Sequence, residues 1–425
     1  MSQGSEASTK ASMQAGATVA AANEQVGGAA GIAIAMFCAL LLAYTLMAAD
    51  RYLLPLLAPA VQREFGLSTT RAGLLTTIFT LGLGVGGLST GYLLARLSRK
   101  TVLLFGIAIF SATTAATTVL GGFWSLLICL AVQGIGMAML ATSMFALAAN
   151  YFSANRAAAI GACNLCYGIG GLLGPRVVTP RLLAHYSTWH TPWRAPMIAY
   201  GAFGFVLIAI IAVVVRPWFS ETRHASKAVS DTGGASGLVN RNTIILTLLS
   251  IIHGLSMYGF LGLYPSYLQQ RLHYTVANSG TVISFFGVGA LASIFGGWLG
   301  DKLSPRLVLS ASLLSIAVLG YFFFQDSFSM LTREILTCIY GVTGSAVLYV
   351  NLAGYHVKAL RRSLSSKGSG MFVTSLYGAG AFSGYLLGKI VTISGWFVAG
   401  QIQMSLICVI GAVLALALKP SEMSV

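Results

Sequence analysis

Charge is what this sequence has least of. Asp, Glu, Lys and Arg make up 8% of its 425 residues, against about 25% in soluble globular chains, whose surfaces need them. That shortage excludes an ordinary water-soluble protein: most of the surface must face something other than water, and lipid is the solvent that fits. Acids are scarcer than bases, 10 against 25, for a formal charge of +15. A single basic patch or tail would suggest a nucleic-acid partner. Here the bases are spread through short gaps between apolar runs, which favours membrane orientation over nucleic-acid binding. The sequence also lacks a P-loop, metal-ligand spacing and a catalytic triad, so no enzyme, resident metal or cofactor is expected. Gly82-Leu-Gly84-Val-Gly86-Gly87 superficially suggests a nucleotide loop, but no strand precedes it. ATP-driven transport is disfavoured unless another subunit supplies the ATPase. The six cysteines all lie in apolar stretches, and Cys163-x-x-Cys166 has no redox-fold context, so they read as small buried thiols.

What the sequence has in quantity is apolar surface, 56% hydrophobic residues, together with 49 glycines, which let membrane helices approach closely. A bilayer core of about 30 Å needs roughly 20 apolar residues per helix. Twelve segments qualify: 31–58, 71–95, 101–120, 124–150, 157–182, 195–216, 242–268, 278–300, 305–325, 329–355, 367–393 and 396–418. The polar, Gly/Ser-rich stretch 217–241 divides them six and six, which predicts a linker between halves 31–216 and 242–418. Residues 1–30 read as a disordered cytoplasmic tail and 419–425 as a short one. A cleaved signal peptide is not expected, because the first apolar run is long enough to span. With the N-terminus inside, 16 of the 25 bases fall on the inner side and five on the outer, while Arg51, Arg176, Arg333 and Lys389 lie within or at the edge of spans. Both termini are therefore predicted cytoplasmic, in a multi-pass protein of the bacterial inner membrane. Nothing requires more than a monomer.

The halves repeat. Gly91-Tyr-Leu-Leu-Ala95-Arg96-Leu-Ser-Arg99-Lys100 aligns with Gly297-Trp-Leu-Gly-Asp301-Lys302-Leu-Ser-Pro305-Arg306 at an offset of 206. Tyr167-Gly168-Ile-Gly170, with Gly174 following, aligns with Tyr377-Gly378-Ala-Gly380, with Gly384 following, at 210. Helices 2 and 5 thus match helices 8 and 11 in the same order and direction, which implies two-fold pseudo-symmetry about the membrane normal.

On these motifs the chain resembles the major facilitator superfamily across about residues 30–420. That family's loop pattern is Gly-x-x-x-Asp-(Arg/Lys)-x-Gly-(Arg/Lys)-(Arg/Lys). The second copy keeps Gly297, Asp301, Lys302 and Arg306. The first keeps Gly91, Arg96, Arg99 and Lys100 but has Ala95 in place of the acid, which puts in question the charge contacts the acid makes with neighbouring helix ends. The resemblance implies an all-α fold of twelve transmembrane helices in two pseudo-symmetric halves, with helices 3, 6, 9 and 12 outside a central cavity. A narrower likeness lies in Asp50-Arg51-Tyr52, running on to Phe65-Gly-Leu-Ser68, and in Leu263-Tyr-Pro-Ser-Tyr-Leu268: these are similar to the anion:cation symporter branch and the related spinster-like proteins. That likeness implies proton- or sodium-coupled transport of organic anions. Leu130 stands where many members carry an arginine before Gln133-Gly134. The antiporter pattern on helix 5 is matched by Gly161, Gly170, Gly174 and Pro175, then interrupted by Arg176, Val178 and Thr179.

Charged residues inside spans are costly and are candidates for function. Arg51 is the candidate clamp for a carboxylate, with Arg176 as helper. Asp50 is the candidate proton carrier, since a carboxyl in a dehydrated site can hold a proton. A self-neutralising Asp50–Arg51 pair is the structural alternative. Arg176 has an equal alternative in bonding backbone carbonyls near Pro175 or reaching headgroups. Lys389 is expected to snorkel to the interface, and Arg333 and Glu334 to serve the surface or an outer gate. His253 on helix 7 is either a packing residue or a proton relay. Tyr44, Gln133, Asn164, Tyr167, Tyr258, Tyr264 and Tyr377 are candidates to line the cavity, each with ordinary packing as the alternative. These residues point to a secondary transporter taking up a small organic anion with protons. The alternatives are a proton-coupled exporter of drugs or other amphipathic compounds, and a non-transporting receptor or scaffold, for which no soluble signalling domain is recognisable.

Overall fold

The computed structural model describes residues 31–152, 156–221, 235–361 and 364–423. The tail 1–30 and most of the expected linker therefore lie outside the described residues. Everything that crosses the molecule is helical: α1 (Gly31–Phe65), α2 (Thr69–Thr77 continuing as Phe79–Arg96), α3 (Arg99–Ala116), α4 (Phe123–Tyr151), α5 (Arg156–Leu173 through Thr179–His185) and α6 (Arg194–Val214). The second set is α7 (Arg241–Gln270), α8 (Val276–Ala290 and Ser293–Lys302, bent by 43°), α9 (Pro305–Phe323) and α10 (Met330–Lys358). A final helical run, from Ser365 to Ala415, is too long for one span. It breaks at Gly395, whose φ of 80° only glycine adopts freely, into α11 (365–394) and α12 (396–415). The described residues thus contain twelve spans.

Local chemistry sets the helix ends. Ser98 starts α3 by accepting from the Thr101 N–H, and Ser304, 206 residues on, starts α9 by accepting from Leu307. Inside α5, Pro175 and Pro180 each remove a backbone donor, and the ladder widens into a π-type turn at Gly174–Val178. α1 runs seven residues past its expected end, to Phe65, and stops at Gly66, whose φ of 60° closes the helix.

Helix α3 packs on α6 and α9 on α12 at the periphery, while α1, α2 and α5 meet α7, α11 and α8 across the two halves. Exposed apolar side chains such as Leu307, Leu314 and Val318 of α9 face outward, as lipid contact requires. We call the end holding Arg99, Lys100, Lys302 and Arg306 the basic face. Towards the opposite face the halves are sealed. A Cβ added at Gly73 would lie 2.1 Å from the Gly384 carbonyl oxygen, and the Thr77 hydroxyl donates to the Ala381 carbonyl at 2.9 Å. Towards the basic face α2 and α11 approach less closely: a Cβ at Gly87 would be 3.8 Å from Val373, and one at Gly91 would meet nothing within 4 Å.

The two loop motifs tie helix ends together within each half. Lys100 Nζ donates to the carbonyls of Ala212 and Val215 at the end of α6, and Arg306 Nε to that of Leu418 beyond α12. The first copy lacks the acid at 95, yet an acid arrives from elsewhere: Glu221 accepts from the backbone N–H groups of Arg99 and Lys100 at 3.1 and 3.2 Å. Asp301 pairs with Lys358 of α10 at 2.9 Å in an exposed bridge. Arg96 lies over the ring of Tyr92, and Lys302 is exposed.

Candidate functional site

The site begins where α1 is weakest. Pro55 offers no N–H to the Arg51 carbonyl one turn earlier, and Pro265 does the same to Leu261 on α7. Arg51 and Leu261 stand on the same central cavity, about 270 Å³, on the basic-face side of the seal. Tyr44, Asn164, Tyr167, Tyr258, Tyr349 and Tyr377 are among its polar lining, and no carboxylate lines it among the described residues.

The Arg51 guanidinium is held by phenols. It donates to the Tyr167 hydroxyl at 2.7 Å and to that of Tyr258, and lies 5.3, 5.9 and 5.2 Å from the ring centres of Phe79, Tyr167 and Tyr258. Across the cavity the Tyr349 and Tyr377 hydroxyls are 3.1 Å apart. A lone guanidinium, several phenolic hydroxyls and aromatic faces can together grip a planar anion.

Asp50, the adjacent residue, is not paired with Arg51. It turns away from the cavity, 4% exposed, and its Oδ2 accepts from Thr114 of α3 at 2.8 Å and from Gln133 Nε2 of α4 at 2.7 Å. Gln133 also donates to the Thr114 hydroxyl at 2.8 Å. Oδ1 is buried without a partner among the described residues. The result is a compact polar core inside the first half, and the self-neutralising pair is excluded.

Several expected site residues lie elsewhere. Gln133 does not line the cavity, because it is buried against Asp50. Arg176 is exposed, with its guanidinium 5.8 Å from the Phe285 ring centre, because the wide turn at Gly174–Val178 carries it away from the cavity. Tyr264 is fully buried, stacked between Phe260 and Tyr267. His253 is fully buried and neither ring nitrogen has a partner among the described residues, so no hydrogen-bonded relay runs through it there. Arg333 is not a surface residue: it is fully buried and donates to the Phe323 and Gln325 carbonyls at 3.2 and 2.6 Å, capping the end of α9. Lys389 is exposed, as snorkelling requires. Sequence reasoning missed Phe79, Thr114 and Tyr349. Among the described residues no cluster of three or more His, Cys, Asp or Glu is placed to hold a metal.

Comparison with known proteins agrees with this architecture. The chain is 28% identical over 317 residues to the MFS-type transporter YcaD of Salmonella heidelberg, covering 73% of this chain and 75% of that one. It is 25% identical over 291 residues to the MFS-type transporter YceJ of Bacillus subtilis, covering 66% and 69%. Its fold matches that of a bacterial homologue of the human lysosomal transporter Spinster in an inward-facing, unoccupied conformation, with a TM-score of 0.67, 17% identity and coverage of 90% and 95%. It also matches the nucleoside transporter NupG, with a TM-score of 0.72, 14% identity and coverage of 90% and 99%. The family model of the Major Facilitator Superfamily matches residues 40–385, and this chain belongs to that superfamily.

Proposed function

We propose that the protein is a secondary transporter that takes up a small organic anion with protons, by alternating access of the central cavity. Family membership makes it an integral membrane carrier of small molecules rather than an enzyme. One observation carries the choice of an anion. Arg51 presents a guanidinium to the cavity with phenols, not carboxylates, as its partners. A carboxylate in that lining would favour a cation exporter, and the described lining has none.

In this reading the carboxylate binds Arg51 beside the Tyr167 and Tyr258 hydroxyls, Asp50 carries the coupling proton, and the halves rock about the site. A thermal-shift screen on purified protein tests it, comparing benzoate with tetraphenylphosphonium. Stabilisation grows with ligand concentration over Kd, reaching about 2.7 kcal/mol at a hundredfold excess. Benzoate or a related carboxylate is expected to raise Tm and the lipophilic cation is not; the reverse order would favour the exporter. The excess of bases at one end also motivates an orientation with that face cytoplasmic. An impermeant label at a cysteine replacing His190 should then react from outside intact cells, and reaction only after lysis would invert the orientation.

A further inference from the structure

The opposite face carries a second cavity, of about 700 Å³, where α1 meets α7 and the start of α8. The basic residues of its described lining are Arg63 and His273; Gln62, Gln269 and Gln270 add amides, and no carboxylate lines it among the described residues. Two hydrogen bonds between the halves close this end: Gln269 Nε2 to the Leu56 carbonyl at 2.9 Å, and Gln270 Nε2 to Gln62 Oε1 at 2.8 Å.

The neighbouring acids are engaged elsewhere. Glu64, next in sequence to Arg63, accepts from Arg194 at 2.5 Å and from Trp193. Asp326 accepts from Arg271 at 2.7 Å and from Tyr267 at 2.9 Å, and the Arg271 hydrogen bonds hold its carboxyl below the usual range. Among the described residues Arg63 forms no ion pair, so its charge stands uncompensated at the mouth of the cavity.

Two voids of about 10 Å³ each, room for a single water, lie between this mouth and the central site. The first shares Arg51, Tyr52, Tyr258 and Leu261 with the central cavity and meets the second at Thr76. The second shares Gln62 and Leu67 with the opposite-face cavity.

The geometry points to a second anion subsite, at which Arg63 binds the carboxylate of an organic anion before it passes Thr76 to Arg51. This rests on the anion reading of the central site, so the test has one arm that does not depend on it. In purified full-length protein, Val276→Cys, on the rim of the cavity, is treated with negatively and positively charged methanethiosulfonates, with the unsubstituted protein as baseline. The anionic reagent should react faster relative to the cationic one, and Arg63→Gln should lower that ratio by about tenfold at low salt, an effect that shrinks as salt screens the charge. Arg51→Gln should leave the ratio unchanged. In the second arm, Arg63→Gln should raise KM several-fold for a carboxylate supplied from the opposite face of oriented proteoliposomes. A reagent ratio indifferent to Arg63, or an unchanged KM, overturns the subsite. Loss of carboxylate binding at the central site with the ratio still dependent on Arg63 would instead count against the central reading.

Discussion

Arg51→Lys is expected to weaken carboxylate binding about ten- to a hundredfold, although the charge is kept. The guanidinium reaches two phenols at once, Tyr167 and Tyr258, and lies against three rings. Its planar fork can keep those partners and still offer parallel N–H groups to a carboxylate. An ammonium is a compact point charge that cannot span the same partners. Losing one charge-assisted hydrogen bond in a partly dehydrated cavity costs about 1.5–3 kcal/mol, which is the quoted loss in affinity. Arg51→Gln should be worse, since it removes the attraction as well. Titration of the purified wild type and both variants with the carboxylate found by screening, and with one lipophilic cation, checks the order. Equal anion affinity in all three folded proteins would remove Arg51 as the clamp; improved cation binding in Arg51→Gln would favour the exporter.

Much of the architecture could be read in the sequence because lipid imposes simple rules. A span needs length and apolarity, so the twelve segments lie within a few residues of the helices observed, apart from ends such as that of α1, where Gly66 rather than polarity stops the helix. The repeat was legible in the 206- and 210-residue offsets. Pro55 and Pro265 stand 210 apart and were a further signal of where the helices are weakest. The site was legible only in part. Arg51, Tyr44, Tyr167, Tyr258 and Tyr377 share the cavity because charge and phenols are rare enough in spans to stand out. Which way a side chain points depends on helix rotation and on local breaks, and those are tertiary facts. Arg176 swings out because two prolines open the ladder beneath it, whereas Arg333 turns in because α9 ends there with free carbonyls. Thr114 is one of five threonines in or just after α3, at 101, 113, 114, 117 and 118, and nothing in its neighbours singles it out.

Asp50→Asn is expected to abolish proton-driven accumulation while sparing substrate exchange. The asparagine oxygen can accept from Thr114 and Gln133 as Asp50 Oδ2 does, so the polar core between α1, α3 and α4 should persist. Its amide nitrogen would replace Oδ1, the oxygen that has no partner and is therefore open to a proton. The variant thus resembles the protonated carboxyl in shape and neutrality but cannot release a proton. If each turnover moves one proton, a gradient of one pH unit supplies about 1.4 kcal/mol and drives about tenfold accumulation. In proteoliposomes the wild type should approach that ratio and Asp50→Asn should stay near unity, while counterflow without a gradient remains within a few-fold of wild type. Thr114→Val, which removes one donor but leaves the carboxyl, should retain accumulation and alter only its pH dependence. If Asp50→Asn accumulated substrate as steeply as wild type under the same gradient, Asp50 would have only a structural role. Attention would then move to Glu334 and to His253, whose ring nitrogens have no partner among the described residues.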